Sequence, residues 1–330
     1  MNIYDIAKKA GVSVATVSRV LNNSARVSQK SKEKVQKIMD EAGYVPNIFA
    51  RGLSLNSVKS IGILCPVISD INHAAAVSHI ERLLRGNGFD TILASTVRYE
   101  EDKSKYLDFL LAKRVDAIIC IGSDGGEANE RASFERAASQ VPVMVVNGMV
   151  KARNVYCTLC DEEGAMIGLV EELLRKDYRS IAYFYDTETY SGRQKLSGYR
   201  RGLAEAGVGA DQRTELKIDT EANGIDASFA QTNALLDSGK SFSALITADD
   251  IIAVGAQKAL KKRGISIPII GFNNSRFAQC ADPELSSIDT MIESLCTIAV
   301  QQLMDVLQGR LVPGRVLISA ALVQRESFRI

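Results

Sequence analysis

The sequence predicts an N-terminal all-α head joined to a larger α/β body made of two doubly wound parallel-sheet halves. Three observations predict this. The first 45 residues place apolar side chains at helical spacing and carry a surplus of basic ones. From Ser60 onward, short apolar runs alternate with amphipathic segments, the pattern of βαβ units in a parallel sheet. Around Asp161 the alternation starts again. The 330 residues suit about two domains at roughly 100–200 residues each. A content of 46% apolar and 24% charged residues lies within the range of folded globular proteins.

In the head, Tyr4 to Ala10 sets Ile6, Ala7 and Ala10 on one helical face, and Gly11 can take the left-handed conformation that ends a helix. Ser13 is a natural N-cap for a second helix, Val14 to Asn22. There Val17, Val20 and Leu21 share a packing face, while Val14, Ala15, Ser18, Arg19 and Asn22 share the opposite, open one. A third helix begins after Ser28, buries Val35, Ile38, Met39 and Ala42, and ends at Gly43 with Pro46 following. Two short helices joined by a tight Gly-containing turn form a helix-turn-helix. Charge agrees with a polyanion partner: residues 1–58 hold nine Lys+Arg against four acids, and the remaining residues hold 31 basic against 35 acidic side chains.

The stretch from Ile3 to Asn22 closely resembles the head of the LacI/GalR family of bacterial regulators. The resemblance continues through Tyr44-Val45-Pro46-Asn47 and Ala50-Arg51-Gly52-Leu53, which look like that family's hinge helix. It implies a helix-turn-helix domain over 1–45, a hinge helix and linker over 46–58, and an effector-binding and dimerisation core over 59–330. By the same resemblance Val14, Ala15 and Arg19 face base edges in the major groove, Arg19 being suited to bidentate recognition of guanine. Tyr4, Ser13, Thr16, Ser18, Asn22 and Arg26 position the DNA backbone. Asn47, Ala50 and Leu53 belong to the hinge, and Leu53 wedges into the minor groove. Ser13 can equally serve only as a helix cap.

In the body the expected strands are Ile61 to Leu64, Asp90 to Ala94, Ala117 to Ile121 and Met144 to Val146. After a long helix they resume at Ile181 to Phe184, Leu216 to Ile218, Ala244 to Thr247 and Ile269 to Phe272. The layout resembles the family's core, akin to periplasmic binding proteins, in which ligand sits between two subdomains. That implies an N-subdomain of about 59–160 and 290–320 and a C-subdomain of about 161–289 and 321–330, with chain crossings near Cys160, Asp289 and Ala320. Ligands in open α/β sheets gather at the carboxyl ends of strands, and by family resemblance Asn72, His73, Asn147, Ser191, Lys195, Asp219, Asp249 and Asn273 occupy effector-pocket positions. Each could instead cap the following helix. Lys195 stands where many members place an Arg, and Asn273 where many place an Asp. A pocket that keeps a cation and loses an acid points to an acidic or phosphorylated sugar.

Other function classes find little support. No G-x-G-x-x-G follows a strand, and Gly239-Lys240-Ser241 follows an expected helix and lacks the first glycine of a phosphate loop. The only histidines are His73 and His79. Cys157 and Cys160 sit in an expected strand at an odd offset, which turns the thiols to opposite faces and prevents them from sharing an ion. No metal, cofactor or catalytic set is therefore expected. No apolar run approaches the 18 or more residues of a membrane span, and no secretory signal opens the chain, so a cytoplasmic protein is expected. The resulting expectation is a sequence-specific transcriptional regulator, a homodimeric repressor on a pseudo-palindromic operator, controlled by a sugar-like effector. The alternatives are a sugar-modifying enzyme carrying a helix-turn-helix and an architectural DNA protein without effector.

Overall fold

The structure is a computed structural model that describes residues 3–21, 26–42, 58–96, 102–122, 128–210, 213–219 and 224–329. The chain divides into two compact units, the head and the body.

The head holds α1 (Ile3–Ala10), α2 (Val14–Leu21) and α3 (Gln29–Glu41). Gly11 ends α1 at φ +61°, where a side chain would be strained. The Val12 amide then closes the turn onto the Ala7 carbonyl at 3.0 Å. Ser13 Oγ accepts from the Thr16 amide at 3.1 Å and so caps α2, and Ser28 Oγ does the same for α3 through Ser31 at 3.3 Å. Ile6, Ala7, Ala10, Val17, Val20, Val35 and Met39 form one small core. Ala42, expected inside, is exposed, because α3 has already ended there and its last turn leaves the packed face.

The body contains two six-stranded sheets. The first is built from β1 (Ser60–Pro66), β2 (Asp90–Thr96), β3 (Ala117–Ile121), β4 (Val143–Val146), β5 (Val155–Asp161) and β11 (Arg315–Ser319), in the order β2-β1-β3-β4-β5-β11. The pairs β1–β3, β3–β4, β4–β5 and β5–β11 are parallel. The second comprises β6 (Ile181–Tyr185), β7 (Thr214–Lys217), β8 (Ala244–Thr247), β9 (Ile269–Phe272), β10 (Ser286–Asp289) and β12 (Ala321–Val323), in the order β7-β6-β8-β9-β10-β12. It is parallel except for the antiparallel edge strand β12.

Helices cover both faces, as wholly apolar parallel strands require. On the first sheet, α4 (Ile71–Gly86) and α12 (Ile292–Leu307) pack Ala76, Ile80, Leu84, Leu295, Ala299 and Leu303 against Ile61 and Ile63. Strand alternation sends Gly62 to the other face, where Leu110 of α5 (Ser104–Ala112) lies against it; α6 (Ala128–Ala138) packs beside α5. On the second sheet, α7 (Glu162–Arg175) and α8 (Tyr190–Glu205) share a core with Tyr183. The opposite core joins α10 (Asp250–Lys262) to Phe184 and Phe242, with α9 (Gly224–Asp237) beside it and α11 (Arg276–Cys280) beyond β9.

The chain passes between the lobes three times: from β5 into α7, from β10 into α12, and from β11 directly into β12. Cys160 packs in the core under α12, while Cys157 turns away and its Sγ lies 3.6 Å from the Val150 carbonyl. The Gly239 segment is the turn that ends α9, with Gly239 at φ +82°. Among the described residues, no helix is long and apolar enough to cross a membrane.

Candidate functional site

The carboxyl ends of the strands in both lobes converge on one cleft. Val67 follows β1, Gly122 follows β3 and Asn147 follows β4; from the other lobe, Asp186 follows β6, Asp249 lies two residues beyond β8 and Asn273 follows β9. Together with the first turns of α4 and α8 these enclose a cavity of about 320 Å³, near the lower end of the ~300–1,000 Å³ usual for small-molecule sites.

Each polar group has a structural reason for its place. Asp70 caps α4, its Oδ1 accepting from the amides of Asn72 at 2.8 Å and His73 at 3.1 Å, and this aims both side chains at the cleft. Asp249 caps α10 through Oδ1 and the Ile251 amide at 2.7 Å. Its Oδ2 accepts from Asn273 Nδ2 at 2.7 Å and, across the cleft, from Asn72 Nδ2 at 3.4 Å. The cap and pocket roles therefore coexist in Asp249. Ser191 is not a cap: Thr189 caps α8 through the Gly192 amide at 3.2 Å, and Ser191 Oγ donates to Glu162 Oε1 at 2.7 Å. Behind Asp249, Asp250 is fully buried and accepts from Ser287 Oγ at 2.6 Å and the Ser275 amide at 2.7 Å. A β-carbon at position 271 would overlap its Oδ1, so only glycine fits there.

The cleft is acid-rich. Burial, then the carboxylates of Asp250 and Asp70, push the Asp249 carboxyl up to about 8. Burial also raises Asp186, against the lowering effect of Lys195. Lys195 is nearly buried. It donates to the Ala248 carbonyl at 3.0 Å, lies 3.6 Å from Glu162 Oε1, and sits 4.8 Å above the centre of the Phe272 ring. This bears on the expectation of an anionic ligand, which supposed a cation with no acid facing it. The ammonium is not unopposed, because a buried carboxylate absent from the sequence-based candidates already faces it.

The structure thus brings Asn72, His73, Asn147, Ser191, Lys195, Asp249 and Asn273 around one cavity. Asp219 is not among its lining residues; it is exposed beyond β7, at the edge of the sheet. The lining adds Asp70, Asp186, Thr187, Thr189 and Thr290. Strand-end position selects Asp70 and the run from Asp186 to Ser191 in the sequence, and the same signal, not applied to Ser286–Asp289, would have found Thr290.

In the head, Tyr4, Ser13, Ala15, Arg19 and Arg26 are exposed, and Thr16 and Ser18 are half-buried. Val14, expected on the open face, instead leans on the head core, because the first turn of α2 lies close to its neighbours. Asn22, Asn47, Ala50 and Leu53 lie outside the described residues.

A helix-turn-helix carried on a two-lobed core with a polar cleft is the plan of a ligand-responsive transcriptional regulator. Residues 2–47 match the family described as bacterial regulatory proteins, lacI family, and residues 170–328 match the periplasmic binding protein-like domain. An HTH-type transcriptional regulator of Lachnoclostridium phytofermentans is 44% identical over 99% of both chains, and the regulator AscG of Escherichia coli is 31% identical over 99% of this chain and 98% of its own. The lac repressor dimer bound to operator and the anti-inducer ONPF superposes with a TM-score of 0.87 at 26% identity, over 99% of this chain and 98% of that one. The chain belongs to the lacI family of transcriptional regulators.

Proposed function

We propose that this regulator is a repressor that binds operator DNA as a homodimer in the cytoplasm and is controlled by a neutral, hydroxyl-rich ligand, a sugar, bound in the cleft. The observation that carries the ligand class is the Asn72–Asp249–Asn273 cluster. A carboxyl group held between two carboxamides offers paired acceptors and donors for vicinal hydroxyls, and the neighbouring acids Asp70 and Asp186 suit a neutral ligand better than an anion. Lys195 is already engaged by Glu162 and Ala248, so it serves the pocket as a fixed, neutralised wall rather than as a phosphate anchor. The same engagement supports a binding role over catalysis: the ammonium is tied up and is not presented as a nucleophile or base.

Ligand acts by favouring one relative arrangement of the lobes, and it can shift that equilibrium only by its differential affinity for the two states. On the DNA side, exposed Arg19 on α2 reads a base edge and the basic head neutralises phosphates. The test is selection of bound duplexes from a random pool, followed by titration of the selected complex with neutral sugars and with their phosphates. The expected result is a two-fold symmetric motif, bound by a dimer, whose affinity is changed by a neutral sugar. Selection of no motif overturns the operator reading, and a response only to phosphorylated sugars overturns the ligand class.

A further inference from the structure

Glu162 is the first residue of α7, at the first crossing between lobes, and its side chain is fully buried. An acid at a helix N-terminus complements the helix dipole, but an exposed one does that equally well without desolvation. Burial needs another reason, and the partners supply it. Oε1 accepts from Asn147 Nδ2 at 3.3 Å, from the lobe of β4, and from Ser191 Oγ at 2.7 Å, from α8 of the other lobe. Lys195 Nζ, also on α8, lies 3.6 Å away. Oε2 is buried with no hydrogen-bond partner among the described residues, so anchoring of the carboxylate falls on Oε1 alone. One oxygen therefore ties three cavity-lining side chains from two lobes to the strand-to-helix junction at the first crossing. Asn147 is fixed from its other side as well, its Oδ1 accepting from the Cys160 amide at 3.3 Å.

We propose that Glu162 is a positioning residue, a clasp that joins the two lobes behind the ligand cavity and sets both the cleft's resting width and the placement of Asn147, Ser191 and Lys195. It does not line the cavity, so ligand cannot displace it as it can displace Asn72 from Asp249. The clasp persists while the front of the cleft opens and closes, which makes it a pivot. The inference rests on the cleft being the ligand site, but it is tested without any ligand, so its failure would leave the ligand class untouched.

The experiment measures inter-lobe distance by pulsed electron spin resonance on the full chain. Spin labels are attached through Glu135→Cys on α6 and Lys258→Cys on α10, both exposed positions, with exposed Cys280→Ser in the background. The doubly substituted Glu162→Met/Lys195→Met protein removes the clasp without stranding a buried charge. Its distance distribution is expected to broaden and shift to longer values than in the parent. Glu162→Gln keeps an Oε1 acceptor for Asn147 and Ser191 and is expected to retain the parent distribution. The pair Lys103–Glu130, 2.8 Å apart within one lobe with Lys103 buried and Glu130 half-buried, provides the control: Lys103→Met/Glu130→Met removes an ion pair that does not bridge the lobes and should leave the distribution unchanged. Should the Glu162→Met/Lys195→Met protein not fold, Asn147→Ala removes the cross-lobe donor, together with the acceptor for the Cys160 amide inside its own lobe, and should give the same broadening. A parent-like distribution in the clasp-free protein, or equal broadening in the Lys103→Met/Glu130→Met control, overturns the proposal.

Discussion

Asp249 is a buried acid of the cleft whose protonation is shifted toward neutral pH. Its carboxyl is pushed up to about 8 by burial and by Asp250 and Asp70, against about 3.9 for an unperturbed aspartate. An acid whose pKa is raised on folding binds its proton more tightly in the native state. Its contribution to stability is therefore full below the unfolded value and is lost as pH rises from about 4 through 8. One such group gives a slope of at most about 1.4 kcal/mol per pH unit. Asp249→Asn should remove its share of that slope, and stability measured by urea unfolding at pH 5, 6, 7 and 8 should vary less with pH than in the parent. An unchanged slope would show that Asp249 is ionised throughout. At this scale the sequence was readable where a residue stood at the end of a recognisable strand, and for Lys195, inside α8, only through the family resemblance. Asn147 and Asn273 were legible for the first reason, as Asp249 was just beyond the Ala244 to Thr247 run. Glu162 was not, because an acid opening a helix reads as dipole complement until its burial and cross-lobe partners are seen.

The helices and strands were more legible than their side chains. Ala117–Ile121, Ala244–Thr247 and Ile269–Phe272 are short, uniformly buried apolar runs, and each emerged as a central strand with the expected bounds. The edge strand Thr214–Lys217 is half exposed and carries no apolar run, so its expected position, Leu216 to Ile218, was displaced toward the more hydrophobic residues. In the head, helical spacing and the two serine caps sufficed, and what spacing could not show was how far Val14 tilts toward the core. The α2 helix separates two kinds of residue. Ser13→Ala removes the cap on the Thr16 amide and should cost about 1 kcal/mol of head stability. Arg19→Ala, on the exposed face, should change stability by less than about 0.5 kcal/mol while relaxing base preference at one operator position. Thermal unfolding alongside competition binding to single-base operator variants checks both. Unchanged base preference for Arg19→Ala would remove α2 from the reading role.

Across the whole molecule, each sheet is completed by chain that arrives late. β11 pairs with β5 of the first sheet, and two residues later β12 pairs with β10 of the second. Beyond β12, Arg325 donates to the Leu285 carbonyl and to Asn274 Oδ1 at 2.8 and 2.6 Å, and Phe328 is buried in the second lobe. A chain ended after Ala320 keeps every residue that lines the cavity, yet should lose at least about 3 kcal/mol, the usual cost of emptying one buried Phe site. The loss should appear in urea unfolding as a lower midpoint. Wild-type stability in the shortened chain would mean that the last crossing is ornamental.

The order of synthesis gives that last crossing a temporal consequence. A ribosome releases the helix-turn-helix head hundreds of residues before β11 and β12 can complete their sheets, so every nascent copy passes through an interval in which it carries the head without the finished lobes.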